Sequence, residues 1–299
     1  MALLIITTIL WAFSFSLIGE YLAGSVDSYF SVLMRVGLAA LVFLPFLRTR
    51  GQSPRTIVLY MLVGAMQLGI MYLLAFRAYL YLTVSEFLLF TVFTPLYITL
   101  IYDLLSGRKL RWGYLLSAAL AVLGAAIIRY DKVSDHFWTG LLLVQLSNLC
   151  FAIGMVGYKR LMEVRPMPQH NAFAWFYVGA FIVAVAAWFM LGNAQKLPTT
   201  TLQWSVLVWL GVVASGLGYF MWNYGATQVD AGTLGIMNNV QAPAGQLVNL
   251  AIWQEQPHWP SFISGALVIL ASRWVHRRWV APHSGQTADD RRRGSAQSE

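Results

Sequence analysis

The sequence predicts an all-α integral membrane protein of ten transmembrane helices, arranged as two inverted five-helix repeats. Three observations carry that prediction. Of the 299 residues 58% are hydrophobic and only 11% charged, a balance at which a soluble domain cannot cover its surface with polar groups. Apolar runs long enough to cross a bilayer, which takes about 20 residues, recur along the whole chain. Finally, Gly64, Gly69 and Tyr72 return as Gly211, Gly216 and Tyr219, each 147 positions later, and Pro95 returns as Pro243 at 148. An echo at about half the chain length points to two packed bundles.

The spans follow one another closely. The first run, 2–19, is uncharged, and although the small residues Ala23, Gly24 and Ser25 follow it as at a leader-peptide cleavage site, no Lys or Arg precedes it; a retained span is expected. The second, 28–47, contains Arg35; the third is 56–76; the fourth, 83–105, carries Glu86 and Pro95; the fifth is 112–128. These form a first repeat over 2–128, followed by a hydrophilic linker at 129–136. The sixth run, 137–158, holds Asn148 and the single cysteine, Cys150; then come 166–195, 197–229, 231–254 with Pro243, and 256–272. They form a second repeat over 137–277, and residues 281–299 make a polar tail without apolar periodicity. Backbone groups in hydrocarbon must be satisfied within a helix or a closed barrel, and the strand alternation of a barrel is missing.

The formal net charge of +8 serves topology rather than nucleic-acid binding. With a cytoplasmic N-terminus, fifteen of the 20 basic residues fall on the cytoplasmic side: Arg48, Arg50, Arg55, Arg108, Lys109, Arg111, Lys159, Arg160, Arg165, Arg273, Arg277, Arg278, Arg291, Arg292 and Arg293. Only Arg77, Arg129, Lys132 and Lys196 fall opposite, and Arg35 stays within a span. This is the positive-inside bias of a bacterial inner-membrane protein with both termini cytoplasmic. The bias also inverts between halves: residues 20–27 hold no Lys or Arg, whereas their counterpart at 159–170 holds Lys159, Arg160 and Arg165. An odd number of helices per repeat produces that inversion. The short stretch around Asp230, expected to be cytoplasmic, is an exception without basic residues.

Several chemistries are missing. No Walker-type glycine loop, His-Glu-x-x-His pair or Gly-x-Ser-x-Gly elbow occurs, and the five histidines lie at span ends or in loops. Metal, cofactor, nucleic-acid and ATPase-subunit roles are therefore not expected. Transport of a small molecule is the favoured reading, with a lipid-modifying membrane enzyme using Glu86 or Arg35 as the alternative from another class.

Arg35 is the sharpest single residue, because a charge within a span costs about 2.5 to 3.5 kcal/mol on insertion scales and faces a cavity or a partner. Its planar fork suits a carboxylate; a salt bridge to Glu86 is the competing reading. Glu86, near the start of the fourth span, is a proton-coupling candidate or an interfacial carboxylate. Asn238, Asn239, Gln241, Gln246 and Asn249 share one side of the ninth span and point inward, either to bond neighbouring helices or to line a cavity for a neutral polar group. Asn148 is a further amide donor. Trp11, Tyr72, Tyr219 and Trp222 offer apolar faces with polar tips, suited to ring-shaped ligands or to packing. Gly64, Gly69, Gly211, Gly216 and Gly218 read as close-packing or hinge positions.

Taken in order, Trp11-Ala12-Phe13-Ser14-Phe15, Arg35 in the second span, the Pro95 and Pro243 spans, and Gly211 to Tyr219 resemble the drug/metabolite transporter superfamily with tandem EamA-type repeats. The resemblance covers about residues 2–277. It implies a secondary transporter working by alternating access, with a central cavity between inverted repeats. Whole-chain similarity to an inner-membrane importer in the carboxylate/amino acid/amine group implies a carboxylated ring substrate. That resemblance places Arg35 on the carboxylate, amides such as Asn239, Asn148 and Gln246 on the polar ring, and Trp11, Tyr72 and Tyr219 on the ring body. An exporter of amino acids or other amphipathic metabolites is the alternative within transport. A Gly-Glu pair common after the fourth helix of each repeat is replaced here by Gly107-Arg108 and Gln254-Glu255, so no coupling role transfers to those positions.

Overall fold

The computed structural model describes residues 2–91, 93–105, 137–229 and 231–254, with Trp259, Ile263 and Leu267. The expected fifth span, the linker at 129–136, the tenth span apart from those three residues and the tail at 281–299 lie outside the described residues. So do the side chains of Asn239, Gln246 and Asn249. Among the described residues every regular element is helical, and seven helices are long and apolar enough to cross a membrane. They are α1 (Ala2–Tyr21), α2 (Ser28–Phe46, ending in a 3-10 turn), α3 (Pro54–Ala78), α4 (Val84–Leu105), α5 (Phe137–Val164), α6 (Gln169–Leu191) and α7 (Thr201–Thr227). An eighth helix, α8 (Ala231–Trp253), carries Pro243 in its interior.

Local chemistry sets the helix ends. Asp27 accepts the Phe30 amide at 2.9 Å to start α2, Ser53 and Pro54 start α3, and Thr200 with Gln203 forms a capping box at α7; each satisfies amides that have no partner in a first turn. Thr83 and Glu86 do the same for α4, the Glu86 carboxylate accepting the Thr83 amide at 2.8 Å while the Thr83 hydroxyl accepts the Glu86 amide at 3.3 Å.

Two spans change their winding midway. In α3 the segment Ala65–Ile70 is π-helical, and in α7 the segment Leu210–Leu217 is π-helical. These are the echoed glycine stretches, so the sequence repeat is realised as a repeated change of helical pitch. Such segments free backbone carbonyls for other donors. Trp11 Nε1 donates to the Ala214 carbonyl at 2.9 Å, and the Tyr177 hydroxyl lies 2.6 Å from the Ser215 carbonyl and 3.0 Å from that of Gly216. Span α4 is interrupted between its pieces Val84–Thr91 and Thr94–Leu105, where Pro95 has no N–H to donate. The Phe90 carbonyl next to the break accepts Asn148 Nδ2 at 2.9 Å and Gln145 Nε2 at 3.3 Å.

Packing pairs the early spans with the late ones: α1 lies on α8 and α7, α5 on α4 and α3, α2 on α7, and α6 on α3. Glycines permit these approaches. A Cβ on Gly64 would collide with the backbone carbonyl of Phe176, and one on Gly179 with that of Met61, so α3 and α6 cross through reciprocal glycines. On the other side a Cβ on Gly211 would sit 2.8 Å from Leu38 Cβ, which brings α2 against the π segment of α7. Large apolar side chains such as Ile9, Leu142, Phe189 and Met190 are exposed on the outside, as expected of surfaces solvated by hydrocarbon.

Candidate functional site

Between these helices lies a cavity of about 80 Å³, room for several waters at about 10–15 Å³ each. Spans α1 to α5, α7 and α8 all contribute to its wall, which includes Trp11, Arg35, Tyr72, Asn148, Tyr219, Asn238 and Gln241. Every candidate site residue with a described side chain, except Glu86 and Trp222, is therefore brought to one place.

Arg35 is 3% exposed and is held by hydroxyls rather than by an acid. Its Nε donates to Ser215 Oγ at 3.0 Å and its Nη2 to Tyr72 Oη at 2.8 Å, while the two hydroxyls stand 2.9 Å apart. The guanidinium carbon lies 4.2 Å from the Tyr72 ring centroid and 5.5 Å from that of Phe76, where ring quadrupoles favour a cation. Among the described residues the ion pairs are Lys159–Glu163 and Arg160–Glu163; the Arg35–Glu86 bridge considered from sequence does not form. Glu86 is not in the cavity wall, because its carboxylate caps the start of α4.

An aromatic wall faces the arginine. Trp11 stacks obliquely on Tyr219 with ring centroids 4.5 Å apart and touches Trp222 at 5.1 Å. Trp222 itself is fully buried and donates to Met155 Sδ, so it supports the wall from behind. On the far side Asn238 accepts a long hydrogen bond from Gln241 Nε2 at 3.5 Å. Asn148 spends its amide donor on the Phe90 carbonyl, a structural duty that composition alone does not reveal. Outside the cavity wall, Gln67 and Asn223 exchange reciprocal amide bonds at 3.1 and 3.2 Å, both side chains fully buried.

Sequence reading missed Ser215, Ser14, Phe76, Phe87, Thr91 and Thr94. Ser215 had a signal, since it sits between the echoed Gly211 and Gly216. Thr83-x-x-Glu86 likewise carries the capping-box spacing. Small hydroxyls and scattered aromatics inside apolar spans have no such mark.

A bundle of apolar helices around a cavity rich in aromatic side chains, with a buried guanidinium in its wall, defines a polytopic membrane carrier of small solutes. The chain belongs to the EamA-like transporter family, which it matches over residues 1–130 and 138–276. It is accordingly a transporter and not an enzyme. It is 82% identical over 299 residues, the whole of both chains, to the "Biotin transporter" of Escherichia coli (strain K12), and equally so to that of Salmonella typhimurium. A "Probable biotin transporter" of Pseudomonas aeruginosa is 54% identical over 279 residues, 93% of this chain and 97% of its own. A solved crystal structure of a protein, 16% identical, shares the fold with a TM-score of 0.66 over 91% of this chain and 94% of its own.

Proposed function

We propose that this chain imports biotin across the bacterial inner membrane as a secondary transporter working by alternating access. The observation that carries the proposal is the 82% identity over the full length to relatives named as biotin transporters. The cavity wall holds chemistry that supports the reading, Arg35 for the valerate carboxylate and Trp11, Tyr72 and Tyr219 for the bicyclic body; Asn148, Asn239 and Gln246 are the amides proposed for the ureido ring. Glu86 is the coupling candidate, on the chemistry of a carboxylate at a membrane boundary; it acts outside the cavity.

The architecture proposed is ten spans in two inverted repeats, 2–128 and 137–277, joined at 129–136, with both termini and the tail at 281–299 cytoplasmic. Reciprocal packing supports it. If α5 to α8 are the sixth to ninth spans, then the first lies on the ninth as the sixth lies on the fourth, and the second on the eighth as the seventh on the third. The matching π segments and the inverted loop charges point the same way. In cells that need external biotin, a plasmid carrying this gene should raise accumulation of labelled biotin over empty vector. Lowered accumulation would favour the exporter reading instead.

A further inference from the structure

A guanidinium offers five N–H donors on two edges: a side edge formed by Nε and Nη2, and an end edge formed by Nη1 and Nη2. In this protein the side edge of Arg35 is already engaged, Nε by Ser215 Oγ at 3.0 Å and Nη2 by Tyr72 Oη at 2.8 Å. The 2.9 Å contact between the two hydroxyls closes the set into a ring. Nη1 has no protein partner among the described residues. Yet it is not among the buried side-chain atoms left without a partner, which are Ser16 Oγ, Ser31 Oγ and Tyr79 Oη. Arg35 lines the cavity, so the cavity is where the end edge is available.

We infer that Ser215 is a positioning residue for substrate recognition: together with Tyr72 it occupies the side edge of Arg35 and leaves only the end edge for a carboxylate. The inference rests on the reading of Arg35 as the carboxylate site. Ser215 is itself fixed by its surroundings. It is fully buried in the π segment of α7, its own carbonyl accepts from Tyr177, and the preceding carbonyl accepts from Trp11. Gly211 admits α2 closely enough that a Cβ there would lie 3.4 Å from Arg35 Cα. A hydroxyl held this way stops the guanidinium from rotating about its stem. Two parallel N–H···O bonds from the end edge then match a carboxylate, whereas a carboxamide, with only one acceptor oxygen, loses one of them.

The test uses the full chain in proteoliposomes, with labelled biotin as substrate and biotin carboxamide as competitor. Ser215→Ala should raise the KM for biotin about tenfold, the order expected when a hydrogen bond to a charged group is lost, with the maximal rate retained and inhibition by the carboxamide unchanged. Tyr72→Phe should show the same acid-selective loss, which keeps the test open if Ser215→Ala does not fold. Equal loss for acid and carboxamide in both variants, or no loss in either, overturns the inference. Arg35→Gln separates the two layers: if the preference for acid over carboxamide survives that change, the carboxylate reading of Arg35 fails. If it is abolished there but intact in Ser215→Ala and Tyr72→Phe, the positioning inference alone fails.

Discussion

Tyr72 and Tyr219, 147 positions apart in the sequence, meet edge to face with ring centroids 5.8 Å apart and planes at 89°. Each follows a π-helical segment, and both line the same cavity. The echo in the sequence thus converges on one cavity. Arg35 bonds to Tyr72 after one π segment and to Ser215 within the other.

Replacing Arg35 by lysine keeps the charge but substitutes a point for a fork. Arg35→Lys should lower biotin uptake at least tenfold at low substrate, a loss of about 1.4 kcal/mol or more, measured at equal membrane expression. Unchanged kinetics would remove Arg35 from the site.

The α3–α6 crossing leaves no room for a methyl group at Gly64, where a Cβ meets the Phe176 backbone. Backbone cannot swing aside as a flexible side chain does, so Gly64→Ala should destabilise the protein by about 1–3 kcal/mol or separate the helices. Thermal unfolding in detergent should show a lowered midpoint; Gly51→Ala is no control, since Gly51 has φ +80° and strains any side chain.

Gln67 and Asn223 each satisfy the other's donor and acceptor in a fully buried pair. Gln67→Leu or Asn223→Leu alone strands one amide and should cost about 1–3 kcal/mol. The double variant should cost less than the sum of the two. A double-mutant cycle on unfolding in detergent reads the coupling, and strictly additive losses would show that the pair acts as two independent groups.

If Glu86 carries the coupled proton, Glu86→Gln should abolish the stimulation of uptake by an inward proton gradient while leaving biotin counterflow intact. Undiminished stimulation by the gradient would remove the coupling role from Glu86. Because that cap also orders the start of α4, a thermal midpoint measured beside the flux separates a folding loss from a coupling loss.

Helices over residues 2–105 and 137–254 were legible because apolar length alone defines a span, and the observed ends differ from the expected runs by a few residues in either direction. Thus the run at 137–158 continues to Val164, past Lys159, whose ammonium is absorbed by the Ala226 and Val229 carbonyls at 3.2 and 2.9 Å. Arg35, Trp11, Tyr72, Asn148 and Tyr219 were legible because charge, amide or large amphipathic rings stand out against aliphatic sequence. Ser215 was not, since a serine inside a span ordinarily bonds its own helix and only tertiary placement turns it toward an arginine. Glu86 stands out as a carboxylate in an apolar run, and the structure puts that carboxylate at the cap of α4 with Thr83, which leaves its coupling role to the flux experiment. Trp222 shows the same ambiguity among aromatics, with one ring in the wall and its neighbour behind it.

The most direct measurement is uptake of labelled biotin into proteoliposomes containing only this purified chain, with imposed proton and sodium gradients. The account predicts saturable accumulation, competed by unlabelled biotin, abolished in Arg35→Gln, and driven without ATP by one of the two gradients. Uptake no greater than that of protein-free liposomes under every gradient, from protein shown to be folded, would contradict it.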